Sequence, residues 1–213
     1  MLGKQMVVAA AILGLFAMAG AALVGLTFDT TKDRIAANER MFLLRTLHEL
    51  IPADSHDNDM FSDTVAVTSK ALLGSTSPLT VYRARAGDRP VAAVLTSVAP
   101  NGYNGAIKLL VAVRHDGDVA GVRVLAHKET PGLGDGIDAD RSDWIAGFTG
   151  RSLANPQRTG WAVKKDGGVF DQFTGATITP RAVVKAVHNT LAYFDQHKAE
   201  IFAAPMEESS HGG

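Results

Sequence analysis

Asp171-Gln172-Phe173-Thr174-Gly175-Ala176-Thr177 is followed almost directly by Thr179-Pro180, so a short polar tract meets a helix start. A hydroxyl residue followed by proline is typical of an N-cap and a first helical position, and we predict a helix over Pro180–His197. Apolar residues recur there at spacings of three and four and predict one buried face: Val183, Val184, Val187, Leu191 and Phe194. Thr177 is therefore expected just ahead of a helix N-terminus, where free N–H groups and the helix dipole favour a phosphate.

A second motif, His127-Lys128-Glu129-Thr130-Pro131-Gly132-Leu133-Gly134-Asp135, follows the strand-like run Val119 to Ala126. Pro131 fixes one backbone angle, and Gly132 and Gly134 allow angles closed to other residues, which predicts a sharply shaped loop. The motif lacks the Gly-Lys-Ser/Thr ending of a phosphate loop and the three spaced glycines of a dinucleotide site. By itself it is compatible with a simple strand-to-helix turn, or with a loop that lies against a flat ring.

Together the two motifs resemble the FMN-binding domain family of membrane redox subunits. The tract is similar to the flavinylation sequence Asp-x-x-(Ser/Thr)-Gly-Ala-Thr, in which the FMN phosphate is esterified to the last threonine, here Thr177. The Glu129–Gly134 segment is similar to the loop that contacts the flavin. The resemblance implies covalent FMN on Thr177, Asp171 as a recognition residue for a flavin transferase, and cofactor contacts from Thr174, Gly175, Ala176, Glu129, Thr130, Gly132, Leu133 and Gly134.

Most of the chain resembles the G subunit of the Rnf ion-translocating electron-transport complex, most closely from Ala99 to Val187 and weakly across 29–75. That family implies a membrane complex that passes electrons between ferredoxin and NAD while it moves sodium ions or protons. The protein would relay electrons to neighbouring membrane and redox subunits through its FMN. No side chain is expected to act as a catalytic acid, base or nucleophile, and Thr177 serves as a tether.

Two alternatives remain open from the sequence. The C subunit of the sodium-pumping NADH:quinone oxidoreductase uses a similar tract, but it is longer and tends to have serine where Thr174 stands. A membrane-anchored scaffold subunit with a degenerate flavin site would have no redox role. The presence of Thr177, Asp171 and Glu129 argues against that second alternative.

The chain has 213 residues, a formal net charge of −1 and no cysteine. Without cysteine there can be no disulfide, thiolate iron–sulfur cluster, c-type haem attachment or lipid-modified N-terminal cysteine. The seven histidines lack the spacing typical of metal sites, so no metal ligand is predicted. Basic residues do not form a stripe with interleaved aromatic residues, which argues against nucleic acid as a partner.

The N-terminal residues 1–28 are predicted to form a transmembrane anchor. No charge interrupts Met6 to Phe28, which is close to the roughly 20 residues that span a bilayer. A signal peptide cleaved after Ala17-Met18-Ala19 is the alternative, but the apolar run continues to Leu26. Basic residues after the span would keep the C-terminal side in the cytoplasm, yet that rule weakens for long domains. The resemblance implies a single-pass protein of the bacterial inner membrane with a periplasmic domain.

Residues 29–204 are predicted to form one α+β domain, a largely antiparallel sheet with flanking helices, and 205–213 a flexible polar tail. Turn signals separate four strand-like runs that predict a meander: Leu79–Ala86, Val91–Val98, Ala106–Val113 and Val119–His127. Outside the meander we expect a helix-favouring stretch over Lys32–Leu50, a short helix over Asp143–Phe148 opened by Asp140 or Ser142, and a strand over Trp161–Lys164.

Aromatic residues could also contact a flavin. Tyr103 lies in the glycine-rich segment Asn101-Gly102-Tyr103-Asn104-Gly105, where it stacks on the flavin, contacts a partner or simply packs against the domain. Trp144 and Trp161 are expected in the core or at its edge.

Overall fold

The computed structural model describes residues 2–203, and the predicted tail over 205–213 lies outside the described residues. The chain divides into two compact units between Arg45 and Thr46. The first unit is formed by most of helix α1, Leu2–Leu50, and the second by the last turn of α1 and everything that follows.

Helix α1 is the one helix within residues 2–203 that is long and apolar enough to cross a membrane, judged by length and composition. The large apolar side chains from Met6 to Phe28 are exposed rather than buried inside the protein. A helix of 49 residues, at about 1.5 Å per residue, is longer than a hydrocarbon core of about 30 Å. The polar residues after Phe28 therefore continue the same helix beyond its apolar segment.

The second unit contains a five-stranded antiparallel sheet whose strands pair in sequence order. The strands are β1 (Thr64–Ser69), β2 (Ser75–Ala86), β3 (Arg89–Gly102), β4 (Gly105–Arg114) and β5 (Val119–Ala126). The predicted antiparallel meander and α+β class are confirmed. Strand β1 was not predicted, because this six-residue edge strand is only half-buried and shows little apolar contrast with its surroundings.

Helix α2, Ile178–Ala203, packs on the sheet mainly against β3. The apolar face predicted from its spacing is buried against the sheet, as are Leu95, Leu109 and Val111 of the strands. Burial of each such side chain stabilises the fold by about 1.5–3 kcal/mol. This packing fixes where the N-terminus of α2 lies relative to the ends of the strands.

Two details of the predicted C-terminal region are wrong. Helix α2 begins at Ile178 rather than Pro180, so Thr179 is not its N-cap but a buried residue of its first turn. The segment over Trp161–Lys164 is not a strand, since only one isolated bridge joins Val163 to Phe170. The apolar side chains of this segment pack in an aromatic cluster with Phe148 instead of extending the sheet.

Short 3₁₀ helices replace regular structure between β5 and α2. The predicted helix over Asp143–Phe148 is present as a 3₁₀ helix, and Ser142 caps it by accepting a hydrogen bond from Trp144 N–H. Further 3₁₀ turns cover Ala53–Ser55, Gly134–Ile137, Arg158–Gly160 and Lys164–Asp166. The chain between β5 and α2 is therefore ordered mainly by side-chain packing and local turns.

A buried ion pair holds the C-terminal end of α2. Arg83 on β2 is fully buried, and its Nε lies 2.6 Å from Asp63 Oδ1. The same guanidinium donates from Nη1 to Ile201 O at 3.0 Å, while Arg85 donates to Phe202 O at 2.7 Å. The guanidinium N–H groups satisfy free carbonyl groups at this end of the helix, and their positive charge complements the helix dipole.

Replacing Arg83 with methionine is expected to lower the free energy of unfolding by about 3–5 kcal/mol, because the buried carboxylate of Asp63 keeps only the partly exposed Arg85 as a basic partner. The matched control is Arg89→Met, which removes an exposed arginine at the start of β3 and should change stability by less than about 0.5 kcal/mol. Urea unfolding of the full chain in detergent, followed by circular dichroism, measures both. Equal effects of the two substitutions would contradict this role.

Candidate functional site

The predicted shaped loop after β5 is a tight turn over Thr130–Leu133. The Leu133 N–H donates to Thr130 O at 3.1 Å, which closes the turn. Pro131 occupies its second position, and Gly132 occupies the third with φ +76°. Proline followed by a residue with positive φ is the pattern of a type II turn. The sequence therefore dictates this turn locally, and the turn exposes the side chain of Leu133.

The flavinylation-like tract forms a second tight turn of the same kind. The Ala176 N–H donates to Phe173 O at 3.1 Å, and Gly175 at the third position has φ +80°. Thr177 follows immediately and precedes Ile178, the first residue of α2, so it stands at the N-cap position. The first N–H groups of an α-helix have no partner within the helix. Thr177 is thus half-buried beside free donors, as the sequence predicted.

Glu129 joins the first turn to two other parts of the domain. Its side chain is buried, with 5% of its surface exposed. Oε1 accepts a hydrogen bond from the Asn104 N–H at 3.0 Å, and Oε2 accepts one from the Thr179 hydroxyl. No basic side chain pairs with Glu129 among residues 2–203. The carboxylate therefore ties the β3–β4 turn and the start of α2 to the loop after β5.

Close approach around Glu129 explains the glycine at position 134. A Cβ at Gly134 would lie 2.7 Å from Glu129 Oε2 and 2.9 Å from Thr179 Oγ1. Such distances are too short for any side chain, so only glycine lets the loop pass the carboxylate. Gly132 differs from Gly134, because a Cβ at Gly132 would meet nothing within 4 Å and only its positive φ favours glycine there.

Two further hydrogen bonds fix the loop. The Glu129 N–H donates to His127 Nδ1 at 3.0 Å, so the other ring nitrogen carries the proton and faces Asp138 Oδ2 at 2.8 Å. The Asn104 side-chain amide donates to the Thr130 hydroxyl at 3.0 Å. His127 therefore holds the backbone of Glu129, and Asn104 holds the side chain of Thr130.

The two turns face each other across a cleft of about 200 Å³. A Cβ at Gly175 would lie 3.9 Å from Leu133 Cδ2, which shows how closely they approach. The rim is apolar: the exposed fractions are 65% for Tyr103, 47% for Leu133 and 47% for Ile178. Outside α1, few large apolar residues of the described chain are this exposed, so the rim is suited to a flat apolar surface.

Most of the predicted cofactor residues line this cleft: Glu129, Thr130, Leu133, Gly134, Gly175, Ala176 and Thr177. Gly132 and Thr174 shape the turns without lining the cleft. Asp171 lies outside it, where its carboxylate is 2.6 Å from Lys164 Nζ and its carbonyl accepts from the Trp144 indole at 2.7 Å. Trp161 is in the core, whereas Trp144 is half-buried at its edge.

Sequence reasoning missed three contributors to the site. Ile178 and Thr179 line the cleft, and Asn104 supplies two of the hydrogen bonds that fix the loop. Ile178 could have been indicated by its place as an apolar residue between the predicted tether Thr177 and the predicted helix start at Thr179-Pro180. Nothing in the local sequence links Asn104 or Thr179 to Glu129.

An ion pair fixes the segment before the tract to the first turn of α2. Arg181 Nε lies 2.5 Å from Asp166 Oδ2, and its Nη2 lies 2.6 Å from Oδ1. The hydrogen bond and charge of the Arg181 guanidinium hold the pKa of Asp166 below its usual range. The carboxylate stays charged at neutral pH, and the pair is lost only when acid protonates it.

Comparisons with known proteins identify two regions of the chain. Residues 1–50 match the RnfG N-terminal region, and residues 102–192 match the FMN-binding domain. The second match covers both the loop after β5 and the tract that ends at Thr177.

Several curated relatives are similar over nearly the whole chain, and each is the G subunit of an ion-translocating oxidoreductase complex. The relative from Pseudoalteromonas atlantica is 53% identical over 196 residues, 92% of this chain and 91% of that protein. The relative from Shewanella loihica is 49% identical over 202 residues, covering 95% of each chain. The relative from Pseudomonas aeruginosa strain UCBPP-PA14 is 49% identical over 208 residues, 98% of this chain and 97% of that protein.

Replacing Thr179 with valine is expected to lower the free energy of unfolding by about 1–3 kcal/mol, because Glu129 Oε2 stays buried without its donor. Thr179→Ser keeps the hydroxyl and should lose much less. Urea unfolding of both variants measures the difference. If valine is no more destabilising than serine, the hydrogen bond to Glu129 does not contribute measurably to stability.

Proposed function

Because the chain belongs to the family of G subunits of ion-translocating oxidoreductase complexes, we propose that it relays electrons through one FMN attached covalently to Thr177. The observation that carries the proposal is the position of Thr177. Thr177, which carries the hydroxyl to be esterified, lines the cleft and directly precedes α2. The resemblance to the Rnf G subunit stated from the sequence is confirmed by these relatives.

The start of α2 fits the phosphate of FMN. The unpaired N–H groups of the first helical turn and the positive end of the helix dipole favour a phosphate at this point. A phosphodiester on the Thr177 hydroxyl would keep its negative charge there. The carboxylate of Glu129 already accepts hydrogen bonds from Asn104 and Thr179, so these two donors stabilise its negative charge.

The apolar rim fits the flat ring system of FMN. Leu133 and Ile178 would contact the ring, and Tyr103 on the β3–β4 turn would lie at its edge or face. Backbone groups of the turn over Thr130–Leu133 would meet its polar atoms. A cleft of about 200 Å³ is smaller than the roughly 300–1,000 Å³ of pockets that enclose a ligand. The ring would therefore remain partly exposed, which suits electron exchange with a neighbouring subunit.

A covalent tether complements such an open site. An open cleft gives limited binding energy, so a tether prevents loss of the cofactor. FMN supplies the redox chemistry when it is bound, and the protein supplies position and electrostatics. The residues of the chain hold the phosphate at the α2 N-terminus, orient the ring on the rim and shield one side of it from water. None of them needs to act as an acid or base.

The attachment step would require a flavin transferase. The side chain of Asp171 is 68% exposed, and among residues 2–203 its one ion pair is with the exposed Lys164, so another enzyme can reach it. The turn over Phe173–Ala176 presents Thr174 and Gly175 on the surface next to Thr177. We propose that the transferase recognises this exposed tract before FMN occupies the cleft.

In the complex, the protein would exchange electrons with neighbouring redox subunits between ferredoxin and NAD. Helix α1 would anchor it in the bacterial inner membrane as a single-pass protein, with the second unit on the periplasmic side. The family name of its relatives supports membership in such a complex.

Replacing Thr177 with alanine should remove the whole flavin mass increment from the membrane-purified chain, because the esterified hydroxyl is lost. Thr68→Ala, on the exposed side of β1 and outside the tract, is the control and should retain it. Intact-mass spectrometry measures both variants. Retention of the increment in Thr177→Ala, or its mapping by peptide sequencing to Thr174 or Thr179, would show that FMN is attached elsewhere.

Replacing Leu133 with serine should leave the flavin attached but raise its midpoint potential by about 30 mV or more, equivalent to about 1.4 kcal/mol for a two-electron couple. A polar group and water at the rim stabilise the negative charge that reduction adds. Val169→Ser is the control, since Val169 is exposed but does not line the cleft. Redox titration of the purified chain measures the potentials. Identical potentials in both variants would place the ring away from this loop.

The proposed topology can be tested with single cysteines, because the chain has none. Thr68→Cys, on the exposed side of β1, should react with a membrane-impermeant maleimide in intact spheroplasts. Gly3→Cys, at the other end of α1, should react only after lysis. The reverse pattern of labelling would put the second unit in the cytoplasm.

A further inference from the structure

Two clefts lie on either side of the outer face of α2. One, of about 390 Å³, is bounded by residues 158–166, and the other, of about 220 Å³, by residues 70–74 and the end of β3. Both are lined by Lys185 and Asn189 of the helix. They therefore form one continuous surface across α2, here called the basic trough.

Positive charge predominates in the basic trough. Arg158 and Arg181 lie in the larger cleft, Lys70 lies in the smaller one, and Lys185 lies between them. Among the described residues, Asp166 is the one carboxylate that lines either cleft, and it already pairs with Arg181. Within residues 2–203, Arg158, Lys185 and Lys70 form no ion pair. Three cations of the trough are thus available to an external anion.

No acidic residue occurs between Gln172 and Phe194, so α2 offers no carboxylate within one turn of Lys185. An external anion would balance this charge.

His188 and Trp161 add an apolar wall to the larger cleft. Their ring centroids are 5.4 Å apart. Burial lowers the pKa of His188, a hydrogen bond with Asn189 opposes this, and the charge of Arg158 lowers the pKa further. An uncharged imidazole against an indole, next to two cations, is suited to a chain that carries both apolar and acidic side chains.

We propose that the basic trough docks an acidic polypeptide segment of a neighbouring subunit of the complex. A helix with its side chains is about 10–12 Å across, so one small anion cannot contact cations on both sides of α2. An extended chain advances by about 3.3 Å per residue and can present carboxylates at such intervals. Charge complementarity of this kind steers and orients a partner.

The trough also lies close to the proposed flavin. Arg181 is one helical turn after Thr177, and its N–H donates to Thr177 O at 3.3 Å. A partner seated in the trough would therefore be held next to the site of electron exchange. This proposal rests on the proposed function, because it assigns the docking surface for the subunit that exchanges electrons with the FMN.

The test uses the full complex, purified in detergent through a tag on this chain. The variant Arg158→Glu with Lys185→Glu reverses the charge of the trough. The control variant, Arg89→Glu with Arg114→Glu, makes the same change in net charge at exposed positions away from it. Quantitative mass spectrometry measures the other subunits recovered per copy of this chain, together with the flavin mass on Thr177 and the thermal midpoint.

The trough variant should keep its flavin and its thermal midpoint but recover at least tenfold less of one neighbouring subunit. High salt should cause the same loss in the wild type, since salt screens exposed charges. Unchanged recovery in the trough variant, or an equal loss in the control, would overturn the proposal. Absence of flavin from the wild-type chain would instead contradict the proposed function, so the two failures are distinguishable.

Two further measurements keep the proposal testable if the charge reversal prevents folding. A photo-crosslinking residue at Asn189 in the otherwise wild-type complex should capture a peptide of another subunit that contains clustered Asp and Glu. Capture of a peptide without acidic residues would contradict the proposal. Titration of the chain with inorganic phosphate, followed by Trp161 fluorescence, should show no saturable response. A saturable response abolished by Arg158→Gln with Lys185→Gln would instead identify a small-anion site and overturn the proposal.

Discussion

The buried carboxylate of Glu129 accepts hydrogen bonds from two segments that are far from it in sequence. Asn104 belongs to the β3–β4 turn, and Thr179 belongs to the first turn of α2. Leaving either oxygen unsatisfied in the interior would cost about 1–3 kcal/mol. The carboxylate therefore determines how the loop after β5, the β3–β4 turn and the start of α2 are arranged, and that arrangement forms the cleft with Thr177 at its edge.

In the second unit, the residues that stabilise the fold differ from those proposed to bind the cofactor. The sheet, the apolar face of α2 and the buried Arg83–Asp63 pair hold the framework. The residues proposed to contact FMN lie on exposed turns and on the first residue of α2, where little of the core is involved. An open cleft beside a cationic surface suits the proposed role, in which a covalently held ring would pass electrons to another protein.

Elements with a strong local signal could be predicted from the sequence. Spacings of three and four indicated the buried face of α2, turn signals indicated the order of four strands, and Pro131-Gly132 indicated a tight turn. Two motifs in the expected order were enough to identify the family. Long-range partners could not be predicted: Thr179 looked like an N-cap because its distant partner Glu129 is invisible in the local sequence. The apolar alternation around Trp161 likewise resembled a strand, although an aromatic cluster buries it.

We propose that the hydrogen bonds of Glu129 bring Leu133 and Ile178 together beside Thr177 to hold the flavin ring. Nuclear Overhauser effects between the ring protons of the attached flavin and methyl groups of the full chain in detergent micelles test it most directly. With ¹³C-labelled methyl groups, we expect contacts from the ring to Leu133 and Ile178. Contacts to neither methyl-bearing residue, in a folded protein with its flavin attached, would contradict the account.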